Sequence, residues 1–174
     1  MPNYKEKLKY ITTFIFDYDG VMTDGKVYLL NDGDAVRTGY VRDGYAMQYA
    51  LKMGFRVVII SGGRAEGVNK RFKVLMVKDV FMGVGNKLEI YHNYIKENKL
   101  SKNEILFMGD DIPDYLLMKE AGLSACPADA SEEIKSVAEF ISAFKGGEGC
   151  VRDVIEQTLK VQGKWFDESE AFIW

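Results

Sequence analysis

Along most of the chain, short uninterrupted apolar runs alternate with longer segments whose apolar residues recur every three or four positions. The runs Phe14-Ile15-Phe16, Val57-Val58-Ile59-Ile60, Ile105-Leu106-Phe107-Met108 and Leu123-Ser124-Ala125-Cys126 lack the in-out alternation of a half-wet strand, and they predict strands covered on both faces. Briefer strands are expected over Asp79 to Met82 and Phe140 to Ile141. Helical spacing marks Asp43 to Met53, Glu66 to Leu75, Lys87 to Asn98, Pro113 to Ala121, Ser131 to Val137 and Cys150 to Gln162, with Gly54 placed to cap the first of these. One interruption breaks the alternation. Lys26 to Leu30 and Ala35 to Val41 flank Asn31-Asp32-Gly33-Asp34, the signature of a β-hairpin inserted between the first strand and the first helix. The pattern predicts an α/β fold: a doubly wound parallel sheet with a hairpin insertion over 26–41 and a tail over 164–174, in one domain over 1–174.

Composition narrows the function classes. The 174 residues suffice for one well-cored domain, and 47% hydrophobic with 28% charged residues is ordinary for a globular protein. The 23 basic residues are dispersed among 26 acidic ones, which argues against a nucleic-acid surface. No apolar run is long enough to span a membrane, and the first residues lack a signal-peptide core, so a cytoplasmic protein is expected. Cys126 and Cys150 lack metal spacing and read as buried free thiols. A Ser-His or Cys-His pair could be built only on His92, which falls mid-helix beside Tyr91 and Tyr94 and reads as a surface residue.

The chemistry gathers where strands end. Asp17 and Asp19 follow the first strand, two positions apart and so on one face of an extended segment. Ser61-Gly62-Gly63-Arg64 follows the second, Gly83 to Lys87 the third, and Asp110, Asp111 and Asp114 the fourth. In a parallel sheet these loops are neighbours. One Asp-rich turn with Gly20 at its bend would be unremarkable, but two acidic strand ends are not easily read as turns. Together they supply what phosphoryl transfer needs. Asp17 would attack phosphorus, Asp19 would protonate the leaving alkoxide and then deprotonate water, and Asp17, Asp19 and Asp110 would hold Mg²⁺. Asp111 and Asp114 would support the metal's waters and the loop, Ser61 and nearby N–H groups would bind phosphoryl oxygens, and Lys87 would balance charge.

The ordered set Asp17-x-Asp19-Gly-Val-x-Thr23-Asp24-Gly25, Ser61-Gly62, Lys87 and Gly109-Asp110-Asp111-x-x-Asp114 resembles the haloacid dehalogenase superfamily of phosphatases over nearly the whole chain. No large insertion follows the hairpin or the third strand, so the chain is similar to the small, capless branch, with that superfamily's Rossmann-like fold. The hairpin, Val41-Arg42-Asp43-Gly44 and Gly146-Gly147-x-Gly149-Cys150-Val151-Arg152 resemble those members that dephosphorylate an eight-carbon 3-deoxy sugar acid 8-phosphate, a lipopolysaccharide sugar precursor. The resemblance implies a Mg²⁺-dependent phosphomonoesterase acting through an aspartyl phosphate. It also implies a homotetramer whose hairpins form a central barrel, a neighbouring subunit closing each site. Gly62, Arg64, Arg42 and Arg152 are the residues it offers for binding a phosphorylated sugar acid, Arg being suited to a carboxylate. Three positions depart from the pattern. Cys150 stands at a usual Ala, Tyr18 at a usual aliphatic, and Gly63 where relatives carry Arg, or Glu in those acting on a nine-carbon sugar acid; the Arg here is displaced to 64.

Each assignment has a plainer alternative. Thr23-Asp24-Gly25 is equally a turn, and a structural role is expected for Asp24. Lys87 opens a helix, where a solvated cation is the default, and the three Arg residues could simply face water. The tail, with Trp165, Phe166, Phe172 and Trp174 among acids, is expected either to fray or to dock on a neighbouring subunit. Rival functions are a phosphatase for the nine-carbon acid or another phosphosugar, a receiver-type phosphoacceptor, and a non-catalytic scaffold. A receiver places its phosphorylated Asp after an internal strand, and a scaffold has no chemical reason to keep the acid set.

Overall fold

The computed structural model describes residues 3–31, 35–64 and 66–172. In chain order the elements are α1 (Tyr4–Lys7), β1 (Thr13–Phe16), β2 (Tyr28–Leu29), β3 (Ala35–Val36), α2 (Val41–Lys52), β4 (Arg56–Ile60), α3 (Glu66–Val74), β5 (Asp79–Phe81), α4 (Lys87–Glu97), β6 (Ile105–Met108), α5 (Tyr115–Glu120), β7 (Leu123–Cys126), α6 (Glu132–Lys135), β8 (Phe140–Ile141) and α7 (Cys150–Val161). A six-stranded, all-parallel sheet runs β5-β4-β1-β6-β7-β8. Every residue of β1, β6 and β7 is buried, as their continuous apolar runs require. Alternate side chains feed two cores. Phe14 and Phe16 pack with Met47, Phe72 and Val154 from α2, α3 and α7, whereas Ile15 and Phe107 pack with Tyr91 and Leu117 from α4 and α5.

The register positions the site. Phe16 pairs with Ile59 on one side and Met108 on the other, so the loops after β1, β4 and β6 leave the sheet at one level and side by side. The order turns back at β1, whose neighbours are β4 and β6, and ligands of such sheets bind beyond the strand ends at that point.

The hairpin is shorter than its apolar pattern. Tyr28 pairs with Val36 and Leu29 with Ala35, and residues 37–40 run on outside any strand. Among the described residues β2 and β3 pair only with each other, and a lone two-stranded ribbon is marginal in water. Part of the expected turn, Asp32 to Asp34, lies outside the described residues, as do Ile173 and Trp174 of the tail. The tail from Trp165 to Phe172 docks in cis. Tyr49 Oη accepts the Asp167 N–H at 2.8 Å, Tyr45 Oη donates to the Ala171 carbonyl at 2.6 Å, and Trp165 packs edge-on against Tyr49. Neither fraying nor a neighbouring subunit is needed for these residues. Among the described residues, no helix is long and apolar enough to cross a membrane.

Candidate active site

Asp17, Asp19, Ser61, Gly62, Lys87, Asp110, Asp111 and Asp114 line one cleft of ≈ 320 Å³ at the carboxyl end of the sheet, together with Gly20, Gly25 and Pro113. Asp17 sits at the end of β1, its N–H donating to the Met108 carbonyl at 3.0 Å. The next turn is set by Thr23, whose Oγ1 accepts the N–H groups of Gly20 and Gly25, both at 3.2 Å. Gly20 has φ +85°, and a Cβ there would collide with the Asp110 carboxylate, so glycine is required on both counts. Asp24 takes the structural role: it faces solvent, accepts the Lys26 N–H at 3.1 Å and pairs with Lys26 Nζ at 3.4 Å.

Lys87 is not a solvated helix-end cation. Its side chain is 9% exposed, with Nζ 2.9 Å from Asp17 Oδ1 and 2.7 Å from Asp114 Oδ1. Burial alone would lower its pKa, but Asp114 and Asp17 raise it on balance, so it stays charged. The other oxygen of Asp114 accepts the Asp110 N–H at 3.1 Å, so this buried acid orients both the lysine and the loop after β6. Carboxylate oxygens of Asp17, Asp110 and Asp114 lie within 4.8 Å of one another. Of the expected Asp17, Asp19 and Asp110, Asp19 lines the same cleft, and its Oδ1 lies 2.7 Å from Arg37 Nε. Burial, with the Asp114 charge, pushes the Asp17 carboxyl up to about 6; burial, with Asp17 and Asp114, pushes Asp110 up to about 8. Several acids thus face one another across too little positive charge. A hard divalent cation fits that imbalance, and an all-oxygen donor set without Cys or His suits Mg²⁺ rather than Zn²⁺.

The remaining candidates fall elsewhere. Arg64 is exposed and lies over Gly83, leaving no room for a Cβ there, outside the cleft lining. Arg42 and Arg152 line a separate cavity of ≈ 400 Å³ with Tyr45, Tyr49, Trp165 and Phe172. There Arg152 pairs with Glu156 at 3.1 Å and lies over the rings of Trp165 and Tyr45, while its N–H donates to Asp43 Oδ1 at 2.8 Å, capping α7 from α2. The late glycine motif buttresses the loop after β1. The Gly147 N–H donates to the Val21 carbonyl at 3.0 Å, a Cβ at Gly146 would strike the Gly20 carbonyl, and Cys150 Sγ lies 3.1 Å from the Val21 carbonyl. Cys126 and Cys150 are buried free thiols, and His92 lies exposed on α4 against Glu120. Arg37 is the residue that sequence reasoning passes over, since a basic residue leaving a hairpin strand carries no signal of its partner.

This fold and this cleft define a hydrolase of the haloacid dehalogenase type, and residues 76–154 match the haloacid dehalogenase-like hydrolase family. The chain is 33% identical over 170 residues to 3-deoxy-D-manno-octulosonate 8-phosphate phosphatase KdsC of Salmonella typhimurium, covering 98% of this chain and 90% of the relative. It is 34% identical over 165 residues to KdsC of Escherichia coli K12, covering 95% and 87%. The structure of the Moraxella catarrhalis phosphatase of the same name, in complex with magnesium ion, phosphate ion and a KDO molecule, superposes with a TM-score of 0.91 at 30% identity, over 95% of each chain. The Yersinia pestis phosphatase gives 0.91 at 32% identity, over 94% and 88%. The chain belongs to the haloacid dehalogenase-like hydrolases and, among them, to the family of these phosphatases.

Proposed function

We propose that this phosphatase hydrolyses 3-deoxy-D-manno-octulosonate 8-phosphate with Mg²⁺ as cofactor, through an aspartyl phosphate on Asp17. The observation that carries the reading is the convergence of Asp17, Asp19, Ser61, Lys87 and Asp110 on one cleft, in a chain that aligns almost end to end with phosphatases of that sugar acid. Asp17 and Asp110 would hold the ion, which lowers the repulsion between a carboxylate and a phosphate dianion. Asp17 attacks phosphorus while Asp19 gives its proton to the leaving alkoxide. Asp19 then takes a proton from the water that cleaves the acyl phosphate. Ser61, 1% exposed at the end of β4, and the loop N–H groups would bind the transferring oxygens, and Lys87 would balance their charge. Asp114 holds Lys87 and the β6 loop in place.

The test is kcat/KM with Mg²⁺ across phosphosugars. The eight-carbon acid phosphate should exceed the nine-carbon acid 9-phosphate, ribose 5-phosphate and glucose 6-phosphate by about tenfold or more, or at least ~1.4 kcal/mol in the barrier. Preference for the nine-carbon substrate would overturn the substrate while leaving the reaction class standing.

The same reading includes a homotetramer built on the hairpin. Tyr28 and Leu29 are 58% and 83% exposed, and Val27, Leu30, Val36 and Val41 are exposed beside them, a patch that a second copy would cover. Sedimentation should give a species four times the 19.7 kDa chain. Replacing Leu29 to Thr38 with a glycine bridge should leave smaller oligomers with weak sugar-acid turnover. A wild-type monomer with full kcat/KM would refute this assembly.

A further inference from the structure

The Arg37 side chain is 10% exposed and reaches back from the end of the hairpin to the catalytic cleft. Its Nε donates to Asp19 Oδ1 at 2.7 Å and its Nη1 to the Ala35 carbonyl at 3.3 Å. The pair occupies the space above Gly63. A Cβ there would lie 2.7 Å from Asp19 Oδ2, 3.3 Å from Arg37 Nη2 and 3.5 Å from Ser61 Oγ, so any larger residue at 63 would displace it. Gly63 and Arg37 are therefore matched: a cation from the hairpin fills the gap left where this loop carries no side chain. Other cations near the site make other contacts, Arg71 donating from Nη2 to the Tyr40 carbonyl at 3.4 Å. Lys87 is held between Asp17 and Asp114, Arg64 lies over Gly83, and Arg42 and Arg152 face a different cavity.

We infer that Arg37 is a specificity-determining residue that binds the carboxylate of the sugar-acid substrate, and that Asp19 is its counter-ion until the substrate arrives. A guanidinium engages a carboxylate through two parallel N–H bonds, so the incoming carboxylate can replace Asp19 on Arg37. Asp19 is then released, takes a proton from water in the open cleft and faces the leaving oxygen as its acid. A phosphosugar without a carboxylate leaves the pair intact and Asp19 engaged. The inference rests on the substrate proposed above, and it makes the acid-base step answer to the acid group of the substrate.

The test compares 3-deoxy-D-manno-octulosonate 8-phosphate with ribose 5-phosphate on wild-type protein, Arg37→Gln, Arg37→Lys and Gly63→Ala, each checked for an unchanged melting temperature. Arg37→Gln should cut kcat/KM for the sugar acid about 100-fold, chiefly through KM. It should raise kcat/KM for ribose 5-phosphate a few-fold, because Asp19 is freed. Arg37→Lys should recover part of the sugar-acid activity, and Gly63→Ala, which crowds the pair while keeping both charges, should give a smaller split of the same sign. Equal losses on both substrates, or no loss on the sugar acid, would overturn the assignment. Wild-type protein active on ribose 5-phosphate but inert on the sugar acid would overturn it together with the substrate; wild-type turnover of the sugar acid without the split overturns this inference alone.

Discussion

Asp17→Asn is expected to abolish turnover while leaving the protein folded. An amide cannot displace an alkoxide from phosphorus, so kcat should fall by ~10⁴-fold or more, on the order of 5 kcal/mol of barrier. Stability should not follow activity down. Burial and the Asp114 charge push the Asp17 carboxyl up to about 6, against the pull of Lys87, so at pH 8 the metal-free fold holds this carboxylate at a cost that an amide avoids. Asp110, raised to about 8 by burial and then by Asp17 and Asp114, would also lose a like-charged neighbour. Lys87 would retain Asp114 at 2.7 Å. A thermal melt at pH 8 in chelator should therefore place the variant no lower than the wild type, the usual trade between a charged site and a stable one. Residual kcat above a tenth of wild type, a loss under ~1.4 kcal/mol, would exclude Asp17 as nucleophile.

The fold was legible because both-face burial leaves a pattern that needs no tertiary knowledge. Val57 to Ile60 and Ile105 to Met108 are strands as their apolar runs imply. Once the strands are placed, parallel topology brings Asp17, Ser61, Lys87 and Asp110 together, since each follows the carboxyl end of a strand. What the pattern cannot carry is where a long side chain turns. Asp19 shares a face with Asp17 in the sequence, yet its carboxylate goes to Arg37, eighteen positions away across the hairpin. Lys87 reads equally as a solvated helix end, and only the approach of Asp17 and Asp114 decides otherwise. Arg42 and Arg152 resemble carboxylate ligands by charge alone. Packing of α2 against α7 instead sets them beside Trp165 and Tyr45, with Asp43 capping α7. The glycines at 146 and 147 became intelligible only through contact with the Gly20 carbonyl and with Thr23 and Asp24. The first turn of helix, Tyr4–Lys7, was too short for any periodicity.

Chelation should silence the enzyme, Mg²⁺ should restore it, and the stabilisation that Mg²⁺ confers should be larger at pH 8 than at pH 5.5. The sign follows from the two raised carboxyls. Asp17 at about 6 and Asp110 at about 8 keep protons in the fold that the unfolded chain, with carboxyls near 3.8, has released. Their contribution to stability is present at low pH and is lost as pH climbs through that window, so the metal-free protein weakens between about pH 4 and pH 8. A cation on Asp17 and Asp110 takes over from those protons and must compete with them where they remain bound. At a hundred times its dissociation constant it adds about 2.7 kcal/mol. In a chain of this size that is roughly 5–10 °C of melting temperature. The shift should shrink at pH 5.5, where protons raise the apparent dissociation constant. Equal shifts at both pH values, full activity after exhaustive EDTA treatment, or recovery with Zn²⁺ alone would count decisively against an all-carboxylate Mg²⁺ site.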